Sequence, residues 1–267
     1  MIKPKILVMS GYGINCEDET KFAFELAGAE KVDIVHINDL IDGSKNLENY
    51  QIVAFPGGFA YGDDTGAGNA FANKLRNHMW DDFMKFINRD TLTIGICNGF
   101  QVLTSLGIFT TKAKTYGERM FALMPNANAR YTVRWVDLGV DVDSHFFRNI
   151  DTISLPIAHG EGRFFTPERS MNDIKDANVI AARYIKGEMC EFQQLTANPN
   201  GSLEDVASII DISGRIMGLM PHPERAIFFT QLPNWTSIKY SRRYENEHLP
   251  KFGPGLKIFE NMVSYFS

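Results

Sequence analysis

Short apolar, β-branched runs alternate with longer stretches of helical period over the first hundred residues. The runs are Lys5–Ser10, Val32–Ile37, Ile52–Phe55 and Thr91–Ile96, and this strand–helix–strand rhythm predicts βαβ units on a parallel sheet. Ile6-Leu7-Val8-Met9 and Ile52-Val53-Ala54-Phe55 are apolar at consecutive positions. Both faces of those strands should therefore be covered by helices, as in a doubly wound sheet. Ala67, Ala70, Phe71, Leu75, His78, Met79, Phe83, Phe86 and Ile87 recur every three or four residues, the stripe of an amphipathic helix lying on that sheet.

From Arg119 to Phe165 the period changes. Tyr131, Val133 and Trp135 alternate with Thr132 and Arg134, which predicts a half-buried antiparallel strand. Val179–Tyr184 reads as another strand, and Asn198-Pro199-Asn200-Gly201 reads as hairpin structure. Ile216-Met217-Gly218-Leu219-Met220 is the last strand. Leu256, Phe259, Val263 and Phe266 mark a closing amphipathic helix after Pro254-Gly255. The stretch 230–252 is polar and loop-like. No repeat, low-complexity segment or linker divides the chain, so residues 1–267 are read as a single domain.

Composition narrows the class. The 267 residues are 44% hydrophobic and 22% charged, which excludes intrinsic disorder and a pure coiled coil. Lys plus Arg number 27 against 32 Asp plus Glu, a net charge of −5. That balance removes any overall electrostatic drive toward nucleic acid or an anionic membrane, and neither is expected as a partner. No apolar run approaches the ~18 residues a membrane span needs, and a cytoplasmic location is expected. Three cysteines, Cys16, Cys97 and Cys190, lie far apart, fitting neither a disulfide scaffold nor a zinc module.

The sharpest local chemistry is Thr93-Ile94-Gly95-Ile96-Cys97-Asn98-Gly99-Phe100-Gln101, an apolar strand running into a cysteine with glycines two residues either side. It is the thiol version of a nucleophile elbow. A helix starting near Asn98 would favour the thiolate of Cys97. Cys16 and Cys190 lack this context and read as inert. A cysteine nucleophile needs a base and a group to orient that base, and two segments compete: His159-Gly160-Glu161 and His222-Pro223-Glu224. Pro221 and Pro223 hold the backbone about His222 extended. Gly160 and Gly162 instead suit a turn around His159 whose N–H groups approach a ligand closely. The spacing favours His222 and leaves His159 open.

Pro56-Gly57-Gly58 follows the third strand and should reach the same sheet edge, where its N–H groups can join that of Asn98 around an oxyanion. Gly11-Tyr12-Gly13-Ile14-Asn15-Cys16 lacks the last glycine of a dinucleotide fingerprint, and no phosphate loop is present. Cys97, His159, Glu161, His222 and Glu224 are of ligand type but match no zinc spacing, so no metal is expected. Lys239, Arg242 and Arg243 form a basic cluster that reads as a solvated loop.

Taken together, Cys97-Asn98-Gly99-Phe100-Gln101 and Met220-Pro221-His222-Pro223-Glu224-Arg225 resemble the class I, or triad, glutamine amidotransferases. Asn15-Cys16-Glu17, Gly57-Gly58-Phe59-Ala60-Tyr61-Gly62-Asp63 with Ala67-Gly68, Pro156 to Phe164, and Asn198-Pro199-Asn200-Gly201-Ser202 are similar to the glutaminase subunits of phosphoribosylformylglycinamidine synthases. The resemblance spans nearly the whole chain. It implies an α/β, flavodoxin-like fold, with a central, mostly parallel sheet flanked by helices and a smaller antiparallel sheet.

It also implies a triad of Cys97, His222 and Glu224, and an oxyanion hole from the N–H groups of Gly58 and Asn98. The expected substrate contacts are Gly57, Gln101, His159, Gly160, Glu161, Gly162 and Arg163. The implied activity is hydrolysis of L-glutamine through a Cys97 thioester. Its ammonia would pass to an ATP-dependent large synthase subunit, with a small third subunit, that converts formylglycinamide ribonucleotide to formylglycinamidine ribonucleotide. No cofactor is then expected in this chain, ATP and Mg²⁺ belonging to the synthase. The segment Phe109–Met124 is longer and more polar than the connection the resemblance implies. A γ-glutamyl peptidase on the same fold and a non-catalytic scaffold subunit are the two other readings open at this point.

Overall fold

The structure, a computed structural model, describes residues 3–112, 115–244 and 248–267. The side chains of Arg242 and Arg243 lie outside the described residues. In chain order the first half contains β1 (Lys5–Ser10), α1 (Glu17–Leu26), β2 (Lys31–His36), α2 (Ile37–Ile41), β3 (Ile52–Phe55), α3 (Asn69–His78), α4 (Trp80–Ile87), β4 (Leu92–Ile96), α5 (Asn98–Leu106) and β5 (Ala122–Pro125). The second contains β6 (Thr132–Val140), β7 (Thr152–His159), β8 (Glu161–Phe165), α6 (Glu168–Asp176), β9 (Ile180–Ile185), α7 (Glu188–Gln193), β10 (Val206–Ile210), β11 (Ile216–Leu219), α8 (Trp235–Tyr244) and α9 (Leu256–Ser264). Among the described residues no helix is long and apolar enough to cross a membrane.

Nine strands form one sheet in the order β2-β1-β3-β4-β11-β10-β9-β6-β7, and β5 pairs with β8 in a small antiparallel sheet. β2, β1, β3, β4 and β11 are parallel, and the sheet continues antiparallel through β10, β9, β6 and β7. The consecutive apolar runs explain the centre: every residue of β3, β4 and β11 is buried, as strands covered on both faces require. Phe24 of α1 meets Phe259 of α9 edge to face at 4.8 Å, while Phe55 of β3 meets Phe83 of α4 at 5.7 Å. Each buried phenyl ring contributes about 2–3 kcal/mol of apolar burial.

The order of connection reverses about β1, with β2 added on one side and β3 on the other. A crevice opens beyond the carboxyl ends of parallel strands at such a point. The loops that reach this edge follow β1, β3, β4 and β11, and they hold Asn15-Cys16, Gly57-Gly58, Cys97 and His222.

Four expectations change. The stripe over residues 67–87 is two helices, α3 and α4, because Met79 leaves helical geometry at φ −131° while the apolar spacing runs on. β6 is antiparallel as predicted, but Tyr131 and Val133 are exposed, Val133 by 70%. Only its second half, Asp137–Val140, lies between β7 and β9, and its buried residues are Val136, Asp137 and Leu138. Asn198–Gly201 does not close a tight hairpin, since the link from β9 to β10 includes α7. The Asn198 carboxamide instead accepts from the N–H groups of Asn200 and Gly201, and Ala127 N–H donates to Asn200 O at 2.9 Å. The stretch read as loop over 230–252 contains α8, where Lys239 lies 5.7 Å from the Trp235 ring.

Candidate active site

Cys97 follows β4 with φ 51° and ψ −107°, a strained geometry costing on the order of 1–3 kcal/mol. The flanking glycines are a steric necessity. A Cβ on Gly99 would lie 1.9 Å from Phe55 O, and one on Gly95 would lie 2.8 Å from the carbonyl of Gly99. The turn is stitched across the sheet by the Cys97 N–H to Leu219 O at 2.8 Å. It leads into α5, whose nine residues are all buried and whose N-terminus faces the thiol. Cys97 Sγ lies 3.7 Å from Ala158 O at the end of β7.

His222 arrives from β11. Its N–H donates to Pro156 O of β7 at 2.8 Å, and Pro223 opens the tight turn Pro223–Arg225. That turn folds Glu224 back, so that its Oε1 lies 2.5 Å from His222 Nδ1, with both side chains almost wholly buried. Burial lowers the imidazole's pKa, but the Glu224 carboxylate and then Cys97 outweigh it and hold His222 well above 6.5. The competing pair is arranged otherwise. His159 Nδ1 meets Asn126 Oδ1 at 3.0 Å. Burial, helped by the charge of His222, pushes its pKa down to about 3. Glu161 turns away from it, Oε2 accepting from Ala67 N–H at 3.2 Å.

The remaining expected residues form two groups. Gly57 and Gly58 follow β3, and a Cβ on Gly58 would lie 2.6 Å from Gly13 O and 2.7 Å from Ile14 Cα. Asn98 ties the β3 loop to α5: its Oδ1 accepts from Ala60 N–H, and its Nδ2 donates to Asp63 and to Gln101 Oε1 at 2.9 Å. Gln101 Nε2 donates in turn to Glu161 O at 2.7 Å. Gly160 O accepts from Asn126 N–H, and a Cβ on Gly162 would strike His159 Nδ1 at 2.7 Å. Arg163 sends its Nε to Pro125 O of β5.

Sequence reasoning missed several neighbours. Cys16, read as inert, is fully buried against His222 and Glu224, and Arg225 Nη2 donates to its sulfur at 2.9 Å. Its signal was position, because Asn15-Cys16 follows β1 at the same sheet edge as the elbow. Asn126 comes from a loop with no motif of its own, and Asp63 closes the Gly57–Asp63 segment without having been singled out. A cavity of about 220 Å³ opens beside Gln101, one turn along α5 from Cys97. Gln101, Glu161, Ala67 and Arg119 line it, the last from the polar segment Phe109–Met124. A larger cavity of about 500 Å³, among Asp143, His145, Arg148, Asp211 and Ser213, lies at the opposite sheet edge beside the turn before β11 and holds no cysteine.

A Cys16 sulfur, a His222 nitrogen and a Glu224 oxygen lie within 4.8 Å of one another, donor types that zinc accepts. Each atom has another task. The guanidinium of Arg225 sits on the sulfur, and the ring nitrogen nearest the carboxylate is bonded to it. A cation there would have to displace both contacts.

Residues 3–266 match the CobB/CobQ-like glutamine amidotransferase domain family. The chain is 50% identical to phosphoribosylformylglycinamidine synthase subunit PurQ of Methanococcus maripaludis over the full length of both chains. It is 40% identical to the protein of that name from Dehalococcoides mccartyi, covering 99% of this chain and 98% of that one. Among solved structures, a chain of PurLQS from Thermotoga maritima superimposes with a TM-score of 0.73 at 28% identity, covering all of both chains.

Proposed function

The chain belongs to the CobB/CobQ-like glutamine amidotransferase domain family, and we propose from that footing how its residues divide the work. It is the glutaminase subunit of a phosphoribosylformylglycinamidine synthase and serves purine biosynthesis. The observation that carries the assignment of roles is the juxtaposition of a strained Cys97 with a buried His222 whose Nδ1 lies 2.5 Å from Glu224.

Cys97 thiolate attacks the side-chain amide carbon of glutamine, and the N–H groups of Gly58 and Asn98 receive the developing oxyanion. His222, as imidazolium, gives its Nε2 proton to the departing ammonia, leaving a glutamyl thioester. The neutral ring then takes a proton from water, whose oxygen attacks the thioester and releases glutamate with the Cys97 thiolate restored. Glu224 holds the ring in the tautomer with Nδ1–H and stabilises its charged form. His159, kept neutral by burial, is a wall of the site and not its base. Glu161 and Arg119 supply opposite charges in the cavity beside Gln101, suited to the α-ammonium and α-carboxylate of the substrate.

Ammonia in neutral water is largely protonated and no longer a nucleophile, so it is handed on directly. The acceptor sits on a separate synthase subunit with a small third protein, a reading supported by the likeness of this chain to one in the structure of PurLQS from Thermotoga maritima. ATP and Mg²⁺ belong there, and this chain works without a cofactor in the cytoplasm.

The test is intact-mass and peptide mapping after incubation with an electrophilic glutamine analogue and the synthase. A single adduct on Cys97, slowed chiefly by His222→Asn and little by His159→Asn, is expected. Labelling of another residue, or labelling of Cys97 at full rate in His222→Asn, overturns the assignment.

A further inference from the structure

Cys16 is fully buried at the N-terminus of α1 and is absent from the reaction just described. Arg225 Nη2 donates to its sulfur at 2.9 Å, and the thiol faces Asn15 Oδ1 at 3.3 Å. The sulfur, a ring nitrogen of His222 and an oxygen of Glu224 lie within 4.8 Å of one another. Gly57 marks how tightly the groups are gathered, since a Cβ there would lie 2.7 Å from His222 Cε1 and 3.1 Å from Cys16 Sγ. Any side chain at residue 57 would push the sulfur and the imidazole apart.

The same turn also grips the backbone that carries the oxyanion donor. Asn15 N–H and Cys16 N–H both donate to Gly57 O, at 3.3 and 3.2 Å. The Gly57–Gly58 peptide is trans, so its N–H points opposite to that carbonyl. Anchoring the carbonyl from the α1 side therefore turns the Gly58 N–H away from α1. One turn thus holds both the base and the oxyanion peptide.

We propose that Cys16 is a positioning residue for glutamine hydrolysis: with Arg225 it braces the His222–Glu224 pair, while its backbone N–H helps to fix the Gly57–Gly58 peptide. The inference rests on the roles given above to His222 and Gly58. The charged and titratable groups facing His222 are Glu224 and Arg225 from its own turn, Cys97 from the elbow, Cys16 from α1, His159 from β7, and Tyr131 ahead of β6. The Cys16 sulfur, as an acceptor for the ring, joins Glu224 and Cys97 in supporting the imidazolium. Its loss should move the alkaline limb of activity to lower pH.

Glutaminase kinetics of the assembled synthase complex test this with Cys16→Ala, Cys16→Ser, Arg225→Met and the double variant Cys16→Ala/Arg225→Met. Cys16→Ala is expected to lower kcat about 10-fold, within what a small misplacement of catalytic groups costs. KM for glutamine should stay within about 2-fold, and the alkaline limb should move down. Cys16→Ser, which keeps a hydrogen-bonding atom, should recover most of the activity. Arg225→Met keeps Cys16 in the core, so the test survives a Cys16→Ala chain that does not fold. The double variant should lose little more than either single one, the mark of coupled neighbours.

Wild-type kcat and pH limb in Arg225→Met and in every folded Cys16 variant would overturn the inference, as would losses that simply add. His222→Asn, assayed alongside, separates the two levels. Full turnover in that variant would defeat the assignment of the base itself, whereas its loss with Cys16 and Arg225 silent would defeat only the brace.

Discussion

His222 Nδ1 and Glu224 Oε1 lie 2.5 Å apart across a single turn that Pro223 holds in shape. Because both side chains are almost wholly buried, the carboxylate acts on the imidazole at low dielectric, where its charge counts most. The pair therefore sets which pH range keeps His222 protonated.

Glu224→Gln should lower kcat at least 100-fold, because a carboxamide neither selects the Nδ1–H tautomer nor stabilises the imidazolium. The pH profile carries the sign. With Glu224 present the His222 pKa stands well above 6.5, so the proton needed by departing ammonia is lost only on an alkaline limb. Without the carboxylate, burial is opposed only by the Cys97 and Cys16 sulfurs and pulls that limb downward. Residual turnover of Glu224→Gln measured from pH 6 to 9 should fall off at lower pH than the wild type. An unmoved limb would detach His222 from it.

The elbow was legible because its chemistry is local: a strained cysteine needs glycines two residues either side, and that spacing is written in the chain. The choice between His159 and His222 was not local. Both segments read His-x-Glu, and only the fold shows Glu161 bonded to Ala67 while Glu224 folds back on its own histidine. Cys16 was illegible for a related reason. It is brought to Arg225, 209 residues away in sequence, by the adjacency of β1, β3, β4 and β11. The face of β6 was misjudged because alternation shows which residues share a face but not where neighbouring strands stop.

Gly99→Ala should be among the most damaging single-methyl changes in the molecule. The added carbon would lie 1.9 Å from Phe55 O, backbone that cannot move without shifting β3 and the Gly57–Gly58 peptide after it. Urea unfolding should report a loss of about 3 kcal/mol or more, with labelling of Cys97 slowed in whatever folds. A midpoint within error of wild type would show that the elbow has slack.

His159 predicts an acid weakness in stability. Its folded pKa of about 3 lies below the unfolded value near 6.5, so between those limits the unfolded chain binds the extra proton. Stability is full above about pH 6.5 and falls below it, by about 1.4 kcal/mol per unit at most. His222, with its pKa raised, acts oppositely: its contribution is present below 6.5 and is lost as pH rises through the folded value. His159→Asn keeps a donor near Asn126 and removes the titration. Its unfolding midpoint should fall less than the wild type's between pH 7 and 5, and parallel curves would refute the assignment.

Arg119 gives the sharpest test of where glutamine lies. The cavity beside Gln101 is lined by one cation from the segment Phe109–Met124 and one carboxylate, Glu161. The free amino-acid end of the substrate carries one group of each opposite sign. Arg119 is anchored by Ser105 O and Asn69 Oδ1, so its position is set before substrate arrives. Arg119→Met keeps the packing stem and removes the charge. KM for glutamine should rise about 10-fold or more, with kcat changed much less, since a contact made equally in ground and transition states lowers KM alone. A glutamine derivative amidated at the α-carboxyl should bind poorly to the wild type and lose little more in the variant. Equal penalties for both substrates on losing Arg119 would place the α-carboxylate elsewhere.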